Sequence, residues 1–374
     1  MARVAAKWGV LAMLVVVAVG WDIKFGPVNA DASRIVGLQE LERTIAKQLK
    51  QRQEALVIEY VGDQKALSKQ LAATVKRAIA ADDYTAYVVD SYHYTITSWP
   101  AHSRIELSIA YRESPRQTAV VDRRVEQVLH ELLRPDMNDH QKVKAIHDWI
   151  VRHVAYDESL SRYTAYEALT EGRAVCQGYA LLAQRMLEAA GVESRIVEGT
   201  VNTGDHAWNL VNVNGAWYHL DVTWDDPVPD RPGEVSYAYY LLNDAQMREH
   251  HAWTRSYPAA VRDYAQTLQR LKERDPQRLA FYTTVERETG LIWLRPEHTA
   301  GTPAELETRL ADAVAGGERN MTVRYTRGER VEADVKAAVL AVGAISSYRI
   351  RYSDFGAAGG VLLKLDFQLD ERAA

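Results

Sequence analysis

The chain has 374 residues with 50 acidic and 45 basic side chains, a formal charge of −5, and no long run of either sign. That balance excludes nucleic acid as the main partner, and 47% hydrophobic with 25% charged residues is the composition of a globular protein. The length exceeds what one core usually serves, so two or three compact units are expected.

At the N-terminus, Arg3 and Lys7 precede an apolar run from Trp8 to Trp21, and Gly26-Pro27-Val28-Asn29-Ala30 follows. A basic start, a short apolar stretch and a small-residue Val28-x-Ala30 ending read as a secretory signal peptide over residues 1–30. The run is about 14 residues, short of the roughly 20 that span a bilayer, which leaves an uncleaved anchor at residues 8–21 as the alternative. Either way the remainder is expected outside the cytoplasm, secreted or associated with the cell envelope. Membrane contact is expected only through this segment, if it is uncleaved.

Next comes a small α+β module, residues 31–117. Leu38, Leu41, Ile45 and Leu49 recur at helical spacing, Leu56 to Tyr60 reads as a strand, a second helix runs to about Ala81, and Tyr84–Ser98 and Arg104–Arg112 read as β-rich. The same order returns in residues 301–374. An offset of 265 lays Glu40 on Glu305, Leu41 on Leu306, Ile45 on Leu310, Ile58 on Val323 and Tyr60 on Tyr325. Two copies of one module are therefore expected to flank a centre, with residues 261–300 as a connecting segment.

The central domain, residues 118–260, opens with a helical stripe of Val121, Val125, Val128, Leu129 and Leu132 that Pro135 ends. Asp139 to Val154 is a second helix, in which His147-Asp148 reads as packing and capping residues. From Gln177 to Ala190 apolar residues again recur at helical intervals until Gly191. The chain's lone cysteine, Cys176, therefore stands at a helix start, where free backbone N–H groups and the dipole stabilise a thiolate. A single thiol in an exported chain is a candidate nucleophile; a buried cysteine acting as a small hydrophobe is the plainer alternative.

Three strands are expected after that helix: Ser194–Thr200, His206–Val213 and Ala216–Thr223. Asn214-Gly215 joins the last two as a two-residue hairpin turn. Cross-strand partners then sum to 429, which sets Trp208 opposite Asp221 and His206 opposite Thr223, with Asp221 diagonal to His206 on one face. That face also carries Trp217 and His219, while Ala207, Val211, Val213, Leu220 and Val222 form an apolar packing face. His219 is read as a supporting histidine rather than a second base, and Asp225-Asp226-Pro227 as a capped turn.

A cysteine at a helix start, a histidine on a strand and an aspartate on the next strand meet the needs of thiol acyl transfer. The local contexts, Tyr166-Glu167-Ala168-Leu169, Ala174-Val175-Cys176-Gln177-Gly178-Tyr179-Ala180, His206-Ala207-Trp208-Asn209 and Asp221-Val222-Thr223-Trp224-Asp225, resemble the transglutaminase-like superfamily, in particular its bacterial exported members. The resemblance spans about residues 120–245. It implies an α+β, papain-like fold with Cys176 as nucleophile, His206 as general base and acid, and Asp221 as the orienting carboxylate. Val175-Cys176-Gln177 departs from the Gln-Cys-Trp of many animal-type members, so the oxyanion donors do not carry over. The backbone N–H of Cys176 is expected as one donor and a hydroxyl from Tyr163 or Tyr166 as the other.

Tyr163, Tyr166, Trp208 and Trp224 are candidate walls of a substrate groove. No metal and no cofactor is expected: paired Cys or His spacing and an EF-hand pattern are both missing. The expected activity is protease or amidase, deamidase or transamidase action on a protein or peptide substrate, cell-wall peptide included. The alternative is a cell-envelope binding or scaffolding protein whose central domain is catalytically silent.

Overall fold

The computed structural model describes residues 34–231, 233–355 and 359–370, so the expected signal or anchor, residues 1–30, lies outside them. Among the described residues no helix is long and apolar enough to cross a membrane. The fold is α+β, and the chain divides between Val261 and Arg262 into two compact units.

The first unit opens with β1 (Arg34–Val36), α1 (Leu38–Lys50), β2 (Ala55–Val61), α2 (Gln64–Ala80), α3 (Asp83–Val88), β3 (Val89–Trp99) and β4 (His102–Tyr111). The strands form one sheet in the order β1-β2-β4-β3, with β1 parallel to β2 and the other pairs antiparallel. Leu41, Ile45 and Leu49, the helical stripe of α1, are fully buried against this sheet's core. Tyr84–Val88, read as β-rich in sequence, is instead the short helix α3. Asp82 caps it by accepting from the Thr85 N–H at 2.8 Å, and the Tyr84 hydroxyl donates to buried Glu113 at 2.7 Å. A cap and one buried partner outweigh the strand preference of Tyr and Val here.

Three helices with reciprocal capping boxes follow: α4 (Pro115–Leu132) with Ser114 and Gln117, α5 (Asp139–His153) with Asn138 and Gln141, and, after β5 (Ala155–Tyr156), α6 (Ala165–Glu171) with Thr164 and Glu167. Gly172 closes α6 in the left-handed region at φ 65°, β6 (Arg173–Ala174) pairs with β5, and α7 (Cys176–Ala189) begins at the cysteine. Then come β7 (Ser194–Val201), β8 (Gly204–Val213), β9 (Ala216–Leu220), β10 (Tyr240–Leu242) and the single turn α8 (Asp244–Met247), with sheet order β10-β9-β8-β7. Asn214 and Gly215 both have positive φ, 52° and 79°, as the tight hairpin turn demands. The ladder runs from Val213 opposite Ala216 to Asn209 opposite Leu220, the register summing to 429.

Two details differ from the sequence reading. Strand β9 stops at Leu220, because Asp221 turns its side chain onto the following backbone instead of continuing the ladder. The sheet face bearing His206 is also not an open chemical face. Trp208, Leu210, Val197, Met247 and Ala260 form a buried cluster there, joined by Trp217, Tyr239, Trp253 and Tyr257, so segment 239–260 covers it. The opposite face packs on α7, where buried Asn209 donates its amide to Ala180 O at 3.0 Å.

The second unit contains α9 (Tyr264–Arg274), α10 (Leu279–Glu288), β11 (Thr299–Ala300), α11 (Pro303–Ala315), β12 (Asn320–Tyr325), α12 (Val331–Val342), β13 (Ile345–Asp354) and β14 (Val361–Leu369). The stretch 261–300, read as a connector, thus carries two helices of its own. The sheet order β11-β12-β14-β13 repeats that of the first module, again with a parallel leading pair. Helices α1 and α11 start and stop at residues 265 apart, Ile35 and Ala300 are equivalently buried, and one bond recurs: Val36 N–H to Glu40 Oε2 at 3.1 Å, and Gly301 N–H to Glu305 Oε2 at 2.6 Å.

Candidate active site

Helix α7 starts without a side-chain cap: Val175 precedes it, so no hydroxyl or carboxylate competes for the first N–H groups around Cys176. The cysteine is 8% exposed. Its neighbour Gln177 is committed elsewhere, donating its side-chain amide to Tyr87 O at 2.9 Å. Gly178 lets the helix start lie against α6, since a Cβ there would come within 2.6 Å of the Ala174 Cβ and 3.1 Å of Thr164 O. The Asn209 to Ala180 bond then fixes α7 against β8 and with it the spacing from Cys176 to His206.

His206 is buried, at 4% exposure, and its Nε2 lies 2.7 Å from Asp221 Oδ2. Cys176 lies near enough to the ring to favour its protonated form; with Nε2 committed to the carboxylate, Nδ1 is the nitrogen left for the thiol. Burial pulls the imidazole down, but the Asp221 carboxylate and Cys176 more than reverse this and leave it raised to about 10. Asp221 is fully buried. Burial alone pushes it up, and the two histidines it serves, His206 and His251, hold it well below the usual carboxylate range. Its Oδ1 accepts from the N–H groups of Thr223 and Trp224 at 3.1 and 3.2 Å, which orients the carboxylate from its own turn. A thiol, an imidazole and a fixed carboxylate in this order can form a thiolate–imidazolium pair and pass a proton to a leaving group.

The profile of the transglutaminase-like superfamily matches residues 126–222, which span the cysteine, the histidine and the aspartate. This segment belongs to the transglutaminase-like superfamily. The kyphoscoliosis peptidase of Homo sapiens is 31% identical to the chain over 124 residues, covering 28% of this chain and 19% of its own length. Its Mus musculus counterpart is 30% identical over 144 residues, covering 34% and 22%. The chain thus spans about a fifth of the length of these curated relatives. A solved TGase structure overlaps 46% of this chain and 51% of its own at 13% identity and a TM-score of 0.28.

On the His206 side of the transglutaminase-like domain lies a groove of about 370 Å³, walled by Glu198, Thr200, Asp205, His206, Trp253 and Arg255; Cys176 and Asp221 are not among its walls. The residues proposed from sequence for this role sit elsewhere. Trp208 is 1% exposed and donates its indole N–H to His219 Nδ1 at 2.9 Å, so it is core. Tyr163 turns its hydroxyl to Leu160 O at 2.7 Å, which removes it as an oxyanion donor, and Tyr166 lies at the start of α6 with its N–H bonded to Glu113. Trp224 is half-buried with its ring centroid 5.8 Å from that of His206. The groove walls come from the ends of β7 and β8 and from residues 252–255, so exposure at strand ends, rather than aromatic content, marks them.

Sequence reasoning also missed the polar supports of the site. His147, read as packing, is fully buried and bridges two carboxylates, with Nδ1 3.1 Å from Asp148 Oδ1 and Nε2 3.1 Å from Asp225 Oδ2. Asp148 is held in turn by Lys144 and Tyr237, and Asp225 accepts the Tyr239 N–H at 2.8 Å. The Asp225-Asp226 turn is therefore tied into α5 rather than merely capped. His219 accepts from Trp208 on Nδ1, places Nε2 2.9 Å from Asp244, and is lowered to about 4 by burial that Asp244 only partly offsets. His251, beside Asp221, was not singled out at all. Its one sequence signal is the His250-His251 pair next to Trp253.

Proposed function

We propose that the protein is an exported thiol acyl-transfer enzyme that opens amide bonds of protein or peptide substrates through a thioester on Cys176. Cell-wall peptide is a substrate of the expected kind. The observation that carries this reading is the 2.7 Å link from His206 to the buried Asp221, beside the uncapped helix start at Cys176, whose thiol is close enough to favour the protonated His206 ring. In the first step the sulfur attacks the carbonyl carbon, His206 delivers its proton to the departing amine, and the acyl group stays on sulfur. In the second, His206 takes a proton from water or from an amine as that acceptor attacks the thioester, and the thiolate leaves. Water gives hydrolysis or deamidation and an amine gives transamidation. Arg3, Lys7 and the apolar run of residues 8–21 support export, with maturation after Ala30 as the state to look for in the intact mass of protein recovered from the cell envelope.

Iodoacetamide alkylation of Cys176, followed by intact mass at about pH 6 to 7, tests the core of this reading. The His206→Ala variant is expected to react about 100-fold more slowly. Equal rates in the two proteins would remove the catalytic assignment and leave a binding or scaffolding role.

A further inference from the structure

The carboxylate of Asp221 is saturated. Its Oδ1 accepts from two backbone N–H groups, and its Oδ2 is shared by two imidazoles, His206 Nε2 at 2.7 Å and His251 Nε2 at 3.0 Å. A carboxylate offers about four acceptor positions, and all are filled. The second of these histidines has no part in the thiol chemistry derived above. It is 2% exposed, and its Nδ1 has no hydrogen-bond partner among the described residues. To bond Asp221 it must carry its hydrogen on Nε2. A second hydrogen on Nδ1 would be buried with nothing to accept it, so the ring is neutral and in one tautomer.

Its placement is strongly enforced. The next residue, Ala252, exchanges both backbone bonds with Thr200 at the end of β7, at 2.8 and 2.9 Å. Gly199 permits that close approach, since a Cβ there would lie 2.2 Å from Ala252 O. The His251 ring is boxed by Trp208, Trp224 and Tyr239, with centroids at 4.9, 4.7 and 5.3 Å. The titratable groups facing it are Asp221 from the end of β9, His206 from β8, His219 from β9, Tyr239, and its own neighbour His250; the carboxylate alone among them is anionic.

We propose that His251 is a positioning residue of the active site: its neutral N–H holds the second lone pair of Asp221 Oδ2, fixing the carboxylate plane against His206 and sharing the charge that His206 feels. This rests on the reading of Cys176, His206 and Asp221 as the catalytic trio. Two consequences follow. Without the His251 N–H the carboxylate keeps its two backbone bonds on Oδ1 but its Oδ2 is held by His206 alone and can tilt about them, so the productive imidazole orientation is less populated. The carboxylate also presents its full charge to His206 alone, which binds the imidazolium proton more tightly.

The test is the pH profile of Cys176 alkylation by iodoacetamide in wild type, His251→Phe and His251→Gln. The phenylalanine keeps a flat ring and loses the donor; the glutamine amide can reach the same oxygen. His251→Phe is expected to react about 10- to 100-fold more slowly, the worth of one hydrogen bond to a charged group, with its alkaline limb moved to higher pH. His251→Gln is expected to return both towards wild type. A wild-type rate in His251→Phe overturns the proposal. So does a slowed His251→Phe that keeps the wild-type limb while His251→Gln is equally slow, since the ring would then only fill space. The folded wild type gives a check free of any substitution: nitrogen-labelled histidine NMR should find His251 neutral with hydrogen on Nε2 between about pH 5 and pH 8, and a cationic ring in that range refutes the assignment. A failure of the trio itself is read separately, as His206→Ala alkylating at the wild-type rate.

Discussion

Replacing Asp226 by asparagine is expected to stabilise the first unit strongly above neutral pH and not at all in acid. The Tyr179 hydroxyl has one hydrogen and two acceptors in reach, Val154 O at 3.0 Å and Asp226 Oδ2 at 2.5 Å. Both contacts are satisfied together only when Asp226 is protonated and donates to the tyrosine oxygen. The carboxyl is 4% exposed and its Oδ1 has no partner among the described residues, so burial raises it from 3.8 to about 6, against the modest pull of Tyr179. A folded-state value above the unfolded one means that the proton's stabilisation is fully present below 3.8 and is lost as pH rises through about 6. Above that window the ionised group costs about 3 kcal/mol relative to a neutral one. Asparagine is neutral throughout and can donate to the tyrosine oxygen while that hydroxyl donates to Val154. Its advantage is therefore near zero at about pH 3.5 and about 3 kcal/mol at about pH 8, or a Tm higher by about 6–12 °C for a unit of this size. Urea denaturation of both proteins at the two pH values measures it. A pH-independent difference, or a variant less stable at high pH, would refute the proton count at Tyr179.

Two further outcomes are expected. Gly178→Ala forces its new Cβ into Ala174 and Thr164 O, and is expected to cost about 1–3 kcal/mol in urea denaturation and to slow Cys176 alkylation by displacing the helix start; a wild-type midpoint contradicts this. His206, raised to about 10, contributes stability that is fully present below the ordinary histidine value of 6.5 and disappears as pH rises through about 10. Denaturation free energy should therefore decline across that interval in wild type and decline less in His206→Ala, and parallel curves would show that the imidazole gains no proton affinity on folding.

Much of the central layout was legible because its signals are local. Asn214-Gly215 fixes a turn with two positive φ angles, and everything downstream in the hairpin register follows from it. The α7 boundaries follow from apolar spacing and Gly191. What escaped depends on contacts between segments distant in sequence. Tyr84–Val88 has strand-forming residues, yet Asp82 and Glu113 make it a helix. Trp208 was assigned to a groove because aromatic residues beside strands look available, and only the arrival of segment 239–260 shows that this face is covered. His251 reaches Asp221 through a bridge between Thr200 and Ala252 that no periodicity encodes. The buried pairing of His147 with Asp225 likewise joins residues 78 apart.

The break in strand β9 at Leu220 has a consequence for how the sequence can change. One oxygen of Asp221 closes the turn that ends the strand, and the other faces the histidines, so a single carboxylate terminates a secondary-structure element and aims the imidazole. Asparagine could keep one of these duties but not the charge, and no other side chain of that length supplies both oxygens. Asparagine is therefore the one substitution at position 221 expected to keep the turn, through its amide oxygen, while losing the charge that His206 faces; a side chain without that oxygen should lose local order and the imidazole's partner in the same step.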